Sequence, residues 1–276
     1  MARLTSCKGM TALVTGASSG IGRLLALRLA REGARVALVA RRTAELETLA
    51  AEIRTAGGEA LPLACDVSDR AAVAQVCAQA LAKFKQVDIL FNNAGYGHHR
   101  TFLEWDLDDI ERMMRVNYLG SVYFTKQLLP QMVERGTGWV VFVASVAGKI
   151  GTPEESAYAA TKFAMVGLAE ALSVEVEDAG VHVMTVCPGV IRTAFFDAEA
   201  LARMPPVTRG QFVEPERLVD AIFKALAKGR HDLTFPGKLA VAYVVKALAP
   251  EFMHTQVKRT TLDAIAREKA LLKKPS

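Results

Sequence analysis

A doubly wound α/β fold, a parallel sheet of about seven strands covered by helices on both faces, is what this sequence predicts. Short β-branched runs alternate with longer helical patterns from residue 11 onward. The runs are apolar along their whole length, as strands buried on both sides must be. The segments between them carry apolar residues at spacings of three and four, the mark of a helix with one buried face.

In chain order, the strand at 12–15 leads into a glycine-rich turn and a helix over 21–31. The strand at 36–39 is followed by a helix over 44–56, and that at 60–63 by one over 71–84. The strand at 89–91 precedes the stretch 107–133, long enough to be read as two helices. Strands at 139–143 and 181–186 precede helices over 158–179 and 215–227, and a shorter strand is expected near 233–235.

With 276 residues, 51% apolar and 23% charged, the chain has enough apolar material for one large core. The expected organisation is a single domain over 8–235 and an appended helical extension over 236–276. In that extension a hydrophobic stretch is followed by a helical pattern containing Lys and Arg, ending Leu-Leu-Lys-Lys-Pro-Ser. Neither an internal repeat nor a low-complexity tract interrupts the pattern.

The formal charge of +5 reads as spread over the whole length, without a dense basic block or interleaved aromatics, so nucleic acid is not an expected partner. Cys7, Cys65, Cys77 and Cys187 form no CxxC pair and no Cys/His cluster of metal-binding spacing. No metal is expected, and reduced thiols fit a cytoplasmic protein. The first ten residues lack the apolar core of a secretory signal, so export is not expected. The most apolar late stretch, 239–249, is broken by Lys246 and falls short of the roughly 20 residues that cross a bilayer.

The first strand runs into Thr15-Gly16-Ala17-Ser18-Ser19-Gly20-Ile21-Gly22, directly before a helix. At that place in a βαβ unit the glycines have separate uses. Gly16 takes the tight turn, Gly20 lets backbone approach a pyrophosphate, and Gly22 lets the helix pack closely on the sheet. Backbone N–H groups at the helix start, with the hydroxyls of Ser18 and Ser19, then face the phosphates of a dinucleotide. At the end of the second strand, where NAD sites place a carboxylate against the ribose, stand Ala40, Arg41 and Arg42. A guanidinium attracts a 2′-phosphate that a carboxylate would repel, so NADP(H) is expected ahead of NAD(H). Arg42 reads nearly as well as a solvated residue at the start of a helix.

Tyr158-Ala-Ala-Thr-Lys162 puts a phenol and an ammonium one turn apart on one helix face. A nearby cation favours the phenolate, so Lys162 is expected to lower the pKa of Tyr158 and to bond the nicotinamide ribose. Ser145 ends the strand before that helix and so faces the crevice where parallel sheets gather ligands. Its hydroxyl is placed to donate to a substrate oxygen while Tyr158 transfers a proton.

With these residues in view, the chain resembles the short-chain dehydrogenase/reductase family over roughly 8–235. The resemblance implies a Rossmann-type fold, hydride transfer between nicotinamide and an alcohol or ketone, and a homodimer or homotetramer. It adds Asn117 to Ser145, Tyr158 and Lys162 as a residue holding a proton-relaying water. It also implies that Asp66 and Val67 meet the adenine, and that Asn93, Ala94 and Gly95 stabilise the sheet and touch cofactor. Pro188, Gly189, Ile191 and Thr193 correspond to the segment that binds the nicotinamide carboxamide. Some NADP-preferring relatives carry a basic residue inside the glycine turn, where this chain has Ser19, so phosphate selectivity rests on Arg41 and Arg42.

Residues 194–212 fall where the family carries its substrate lid. Their Phe195, Phe196, Met204, Pro205, Pro206 and Phe212 favour a hydrophobic substrate, or simply pack the lid shut. His98 and His99 either edge the pocket or are solvated. The stretch 238–246 has an apolar face with Lys at its margins, suited to oligomer contact or pocket cover ahead of a peripheral membrane contact. Two other functions stand beside the oxidoreductase. A catalytically silent NADP(H)-binding regulator or scaffold has no chemical need for Ser145, Tyr158 and Lys162 together. A sugar epimerase or dehydratase needs a larger C-terminal domain than the 41 residues after Phe235 provide.

Overall fold

The computed structural model describes residues 3–196 and 198–266. The end of the expected extension, 267–276, and Asp197 of the expected lid lie outside the described residues. Seven parallel strands form one sheet in the order β3-β2-β1-β4-β5-β6-β7. They are β1 Thr11–Thr15, β2 Arg35–Ala40, β3 Glu59–Ala64, β4 Ile89–Asn92, β5 Gly138–Val143, β6 Val181–Pro188 and β7 Asp232–Phe235. The expected strands are all present.

Alternate strand residues enter opposite cores, as the period of two demands. Ala12, Val14, Val36, Leu38 and Ile89 pack on one face beneath α1 (Gly20–Arg31), α2 (Thr43–Thr55) and the later helix 215–227. Leu13, Ala37, Val39, Leu90 and Phe142 pack on the other, against α3 (Arg70–Phe84) and the helices that follow β4 and β5. Crossover helices on both faces are what bury every central strand completely.

The stretch after β4 holds the two helices expected, joined without a loop. The helix α4 (Leu107–Met114) passes through a π-helical segment, Arg115–Leu119, straight into α5 (Gly120–Glu134). One extra residue in a turn leaves no loop for sequence pattern to detect, yet it turns Asn117 into the interior. After β5, α6 spans Ser156–Glu175, starting two residues before Tyr158 and ending earlier than expected. The chain then turns through Gly180 at φ +74° into β6.

Beyond β6 lie two short helices, α7 (Ala198–Arg203) and α8 (Pro206–Arg209), then α9 (Pro215–Ala227). The sequence pattern gave no sign of α7 and α8, which are too short for a period to show. After β7 come α10 (Ala240–Leu248) and α11 (Pro250–Thr260). Among the described residues no helix is long and apolar enough to cross a membrane.

Candidate active site

The carboxyl ends of the strands surround a cavity of about 660 Å³. Parallel strands all aim their C-terminal loops at this edge, and the chain reverses direction across the sheet between β1 and β4. Every residue expected at the site lines this cavity except Gly22 and Asn117.

The turn after β1 opens it. Gly16 and Gly20 hold φ of +67° and +53°, a backbone region where side chains are strained. Gly22 lies behind the turn: a Cβ there would fall 2.3 Å from the Gly16 carbonyl oxygen and 2.6 Å from Asn93 Nδ2. The first turn of α1 holds no acidic residue, and Ser19 at its cap makes no capping side-chain bond. Its N–H groups and positive end therefore face the cavity wall formed by Ser18, Ser19, Gly20 and Ile21.

Thr15 ties this turn to the loop after β4. Its hydroxyl accepts from the N–H groups of Asn93 (2.9 Å) and Ala94 (3.0 Å), while Asn93 Nδ2 donates to the Thr15 carbonyl at 2.9 Å. Asn92 Nδ2 donates to Thr125 Oγ1 on α5 at 2.9 Å. Thr15 as a hub was missed in the sequence, because a threonine at a strand end carries no distinguishing signal.

Arg41 and Arg42 both line the cavity at the end of β2. The Arg42 guanidinium reaches across to Ser18 Oγ, with Nη2 at 2.9 Å, and lies 3.5 Å from Glu45. Arg42 is at once a largely exposed residue at the start of α2, as its solvated reading has it, and in contact with the glycine turn. Burial alone would raise the Asp66 pKa, but hydrogen bonds from Ser68 and the charges of Arg41 and Arg112 outweigh it and hold the carboxyl below its ordinary value.

At the other end of the cavity, Ser145 follows β5 in extended backbone and its hydroxyl accepts from Ala147 N–H at 3.1 Å. The same hydroxyl stands near the Tyr158 phenol and acts to lower its pKa. Lys162 Nζ donates to the Val143 carbonyl at 3.0 Å and lies 5.6 Å from the centre of the Tyr158 ring. Both side chains are buried. Lys162 was expected to pull the phenol pKa down; instead burial dominates and pushes it up, with the Ser145 hydroxyl opposing. Burial also lowers the Lys162 ammonium, to about 8.

Asn117 is fully buried behind this group rather than on the cavity wall. Its Oδ1 accepts from Tyr96 N–H at 3.0 Å, and its Nδ2 donates to the Tyr96 carbonyl at 2.8 Å and Thr161 Oγ1 at 3.1 Å. The amide thus fastens the loop after β4 to α6.

Over the mouth, the Phe195 ring lies 5.7 Å from Tyr158, followed by Phe196 at 5.2 Å and Phe212 at 5.6 Å along a chain of aromatic contacts. Phe195 and Phe196 thus line the cavity and pack the lid at once. His98 and His99 also reach the wall, His99 Nε2 lying 3.6 Å from Glu155 Oε1. From beyond β7, Leu239, Ala242 and Tyr243 complete the lining. The apolar face of 238–246 was the one signal for that contribution.

The model of the short chain dehydrogenase family matches residues 10–203. The chain belongs to that family, and it is an oxidoreductase. It is 35% identical over 247 residues to a fatty acyl-CoA reductase of Acinetobacter baylyi, covering 88% of this chain and 81% of the relative.

 A short-chain dehydrogenase/reductase from Burkholderia phymatum, solved in complex with NAD, superposes with a TM-score of 0.82 at 27% identity, covering 90% of this chain and 96% of that one. A short-chain dehydrogenase from Sphingobium yanoikuyae, solved in complex with NADPH, gives 0.78 at 30% identity, covering 89% and 95%.

Proposed function

We propose that this oxidoreductase interconverts a hydroxyl and a carbonyl group on a hydrophobic small molecule, with NADP(H) as hydride carrier and Tyr158 as acid and base. One observation carries the reading: the glycine turn, two arginines and the Ser145, Tyr158 and Lys162 group line a single cavity. The cavity fits a nicotinamide dinucleotide, because the α1 N-terminus has no side-chain cap and Gly16 and Gly20 of the turn hold backbone that brings N–H groups to the cavity wall. The relatives solved with NAD and NADPH carry such a group.

In this reading Gly16, Ser18, Ser19, Gly20 and Ile21 hold the pyrophosphate, and Gly22 keeps helix and turn in contact. Arg41 and Arg42 bind the 2′-phosphate, and Asp66 and Val67 meet the adenine. Asn93, Ala94 and Gly95 form the floor, while Pro188, Gly189, Ile191 and Thr193 orient the carboxamide. When bound, the nicotinamide supplies or accepts hydride. Ser145 holds the substrate oxygen, Tyr158 gives or takes its proton, and Lys162 binds the ribose hydroxyls. Asn117 acts as a positioning residue, through Tyr96 and Thr161.

Phe195, Phe196, Met204 and Ile150 on the wall suit an apolar substrate, as does the activity in the name of the Acinetobacter relative. Residues 8–235 form the catalytic domain in this proposal, with the extension from 236 closing the cavity. We assign the protein to the cytoplasm as a homodimer or homotetramer.

Cofactor choice is tested with Arg41→Ala. The KM for NADPH is expected to rise about tenfold or more, the loss of roughly one charge-assisted contact, while that for NADH stays within about twofold. Equal changes for both cofactors count against the phosphate role. The pH profile tests Lys162. Because kcat/KM reports the free enzyme, ketone reduction is expected to fall above a pH of about 8, where Lys162 loses its proton while the raised Tyr158 phenol keeps its own. A profile flat to pH 10 excludes a Lys162 that both supplies the needed charge and titrates near 8, since only an ammonium near the ordinary value of about 10.4 would still be charged there.

A further inference from the structure

Helix α10 has two working faces. Leu239, just before it, with Ala242 and Tyr243 line the cavity, and Lys246 Nζ donates to the Lys149 carbonyl at 2.7 Å, which fastens that side to the domain. Val241, Val244 and Leu248 recur at spacings of three and four on the opposite side and are 64%, 57% and 82% exposed. Phe252 on α11 extends the apolar exposure at 56%. The segment that supplies Met204, Pro205 and Thr208 to the same cavity also exposes Leu201 and Val207.

Charge accompanies this surface. Lys and Arg occur along the whole chain, but the imbalance does not: residues 236–276 carry eight Lys and Arg against three Asp and Glu. That net +5 equals the formal charge of the entire protein, so the preceding 235 residues balance to zero. The even spread read from the sequence holds for the residues and not for the net charge. Among the described residues, Lys238, Lys258 and Arg259 of this segment are exposed.

We infer that α10 and α11 dock the protein on an anionic lipid surface, lying in the interface without crossing it. An apolar helix face rimmed by basic side chains gains both from burying Val241, Val244 and Leu248 among acyl chains and from attraction to acidic headgroups. A second copy fits the same surface poorly. Two-fold pairing of identical stripes would bring together two segments that each expose Lys238, Lys258 and Arg259. Because the opposite face of α10 lines the cavity, docking sets the cavity beside the lipid. Resting on the function proposed above, this makes the substrate an alcohol or ketone dissolved in the membrane.

The test is flotation of the purified full-length protein with vesicles of phosphatidylcholine alone or with roughly one-third phosphatidylglycerol. No cofactor or turnover enters it, so it stands or falls separately from the proposed reaction. Binding is expected to the anionic vesicles, weak on the neutral ones, and reduced in about 1 M salt, where screening shortens the Debye length to about 3 Å. Val244→Asp with Leu248→Asp is expected to lower partitioning at least tenfold with an unchanged thermal melt, since neither side chain is buried in the fold. Wild-type protein that stays with the unbound fraction at low salt overturns the inference. So does a folded double variant that floats as well as wild type, or one whose only change is a smaller oligomer by sedimentation.

Discussion

Tyr158→Phe is expected to lower kcat by about 10² to 10⁴-fold, the range for losing a positioned general acid, while NADPH binding stays within about twofold. The substitution removes one oxygen. The ring keeps its place against Phe195 and beneath Lys162, so packing and the cavity wall persist. What disappears is the proposed proton donor that lies on the same cavity wall as Ser145. Stopped-flow or steady-state absorbance of NADPH with a ketone panel gives kcat, and fluorescence titration gives cofactor affinity. A variant that retains a tenth of wild-type turnover removes Tyr158 from the chemistry. A wild type that binds NADPH but turns over no carbonyl removes the proposed reaction itself.

Gly22→Ala is expected to weaken NADPH binding at least tenfold and to lower the melting temperature. A Cβ 2.3 Å from a backbone carbonyl and 2.6 Å from Asn93 Nδ2 has no flexible neighbour to displace, so the turn and α1 must separate. Overpacking of that kind costs about 1–3 kcal/mol, and 1.4 kcal/mol is already a tenfold change in affinity. Gly167→Ala is the control. It lies in α6 with nothing within 4 Å of an added Cβ, and the gain in helix propensity of up to about 1 kcal/mol favours the variant. Calorimetry of both variants with and without NADPH separates the outcomes. Unchanged affinity in Gly22→Ala overturns the assignment of the turn to the pyrophosphate.

The alternation of apolar runs and helical periods made the sheet legible, because a strand covered on both faces has only one composition available to it. The glycine turn was legible for a related reason: Gly16 and Gly20 occupy backbone that other residues avoid, so the local conformation is written in residue type. Tyr158 and Lys162 could be paired because a helix fixes the distance between positions four apart. Asn117 was found by resemblance, but its place was not. The π-helical segment that turns it inward leaves no mark in a periodic pattern, and its partners Tyr96 and Thr161 come from other elements.

By itself the sequence determined the order of strands and helices, the conformation of the phosphate-type turn and the inventory of chemical groups. All of these follow from local backbone preference and the period of burial. Only the tertiary structure decided that burial dominates the Tyr158 pKa, that Arg42 closes onto Ser18, and that α10 roofs the cavity with one face while showing Val244 and Leu248 to the outside. Desolvation and contact depend on which distant segments surround a group, and that is a property of the packed chain rather than of any stretch of it.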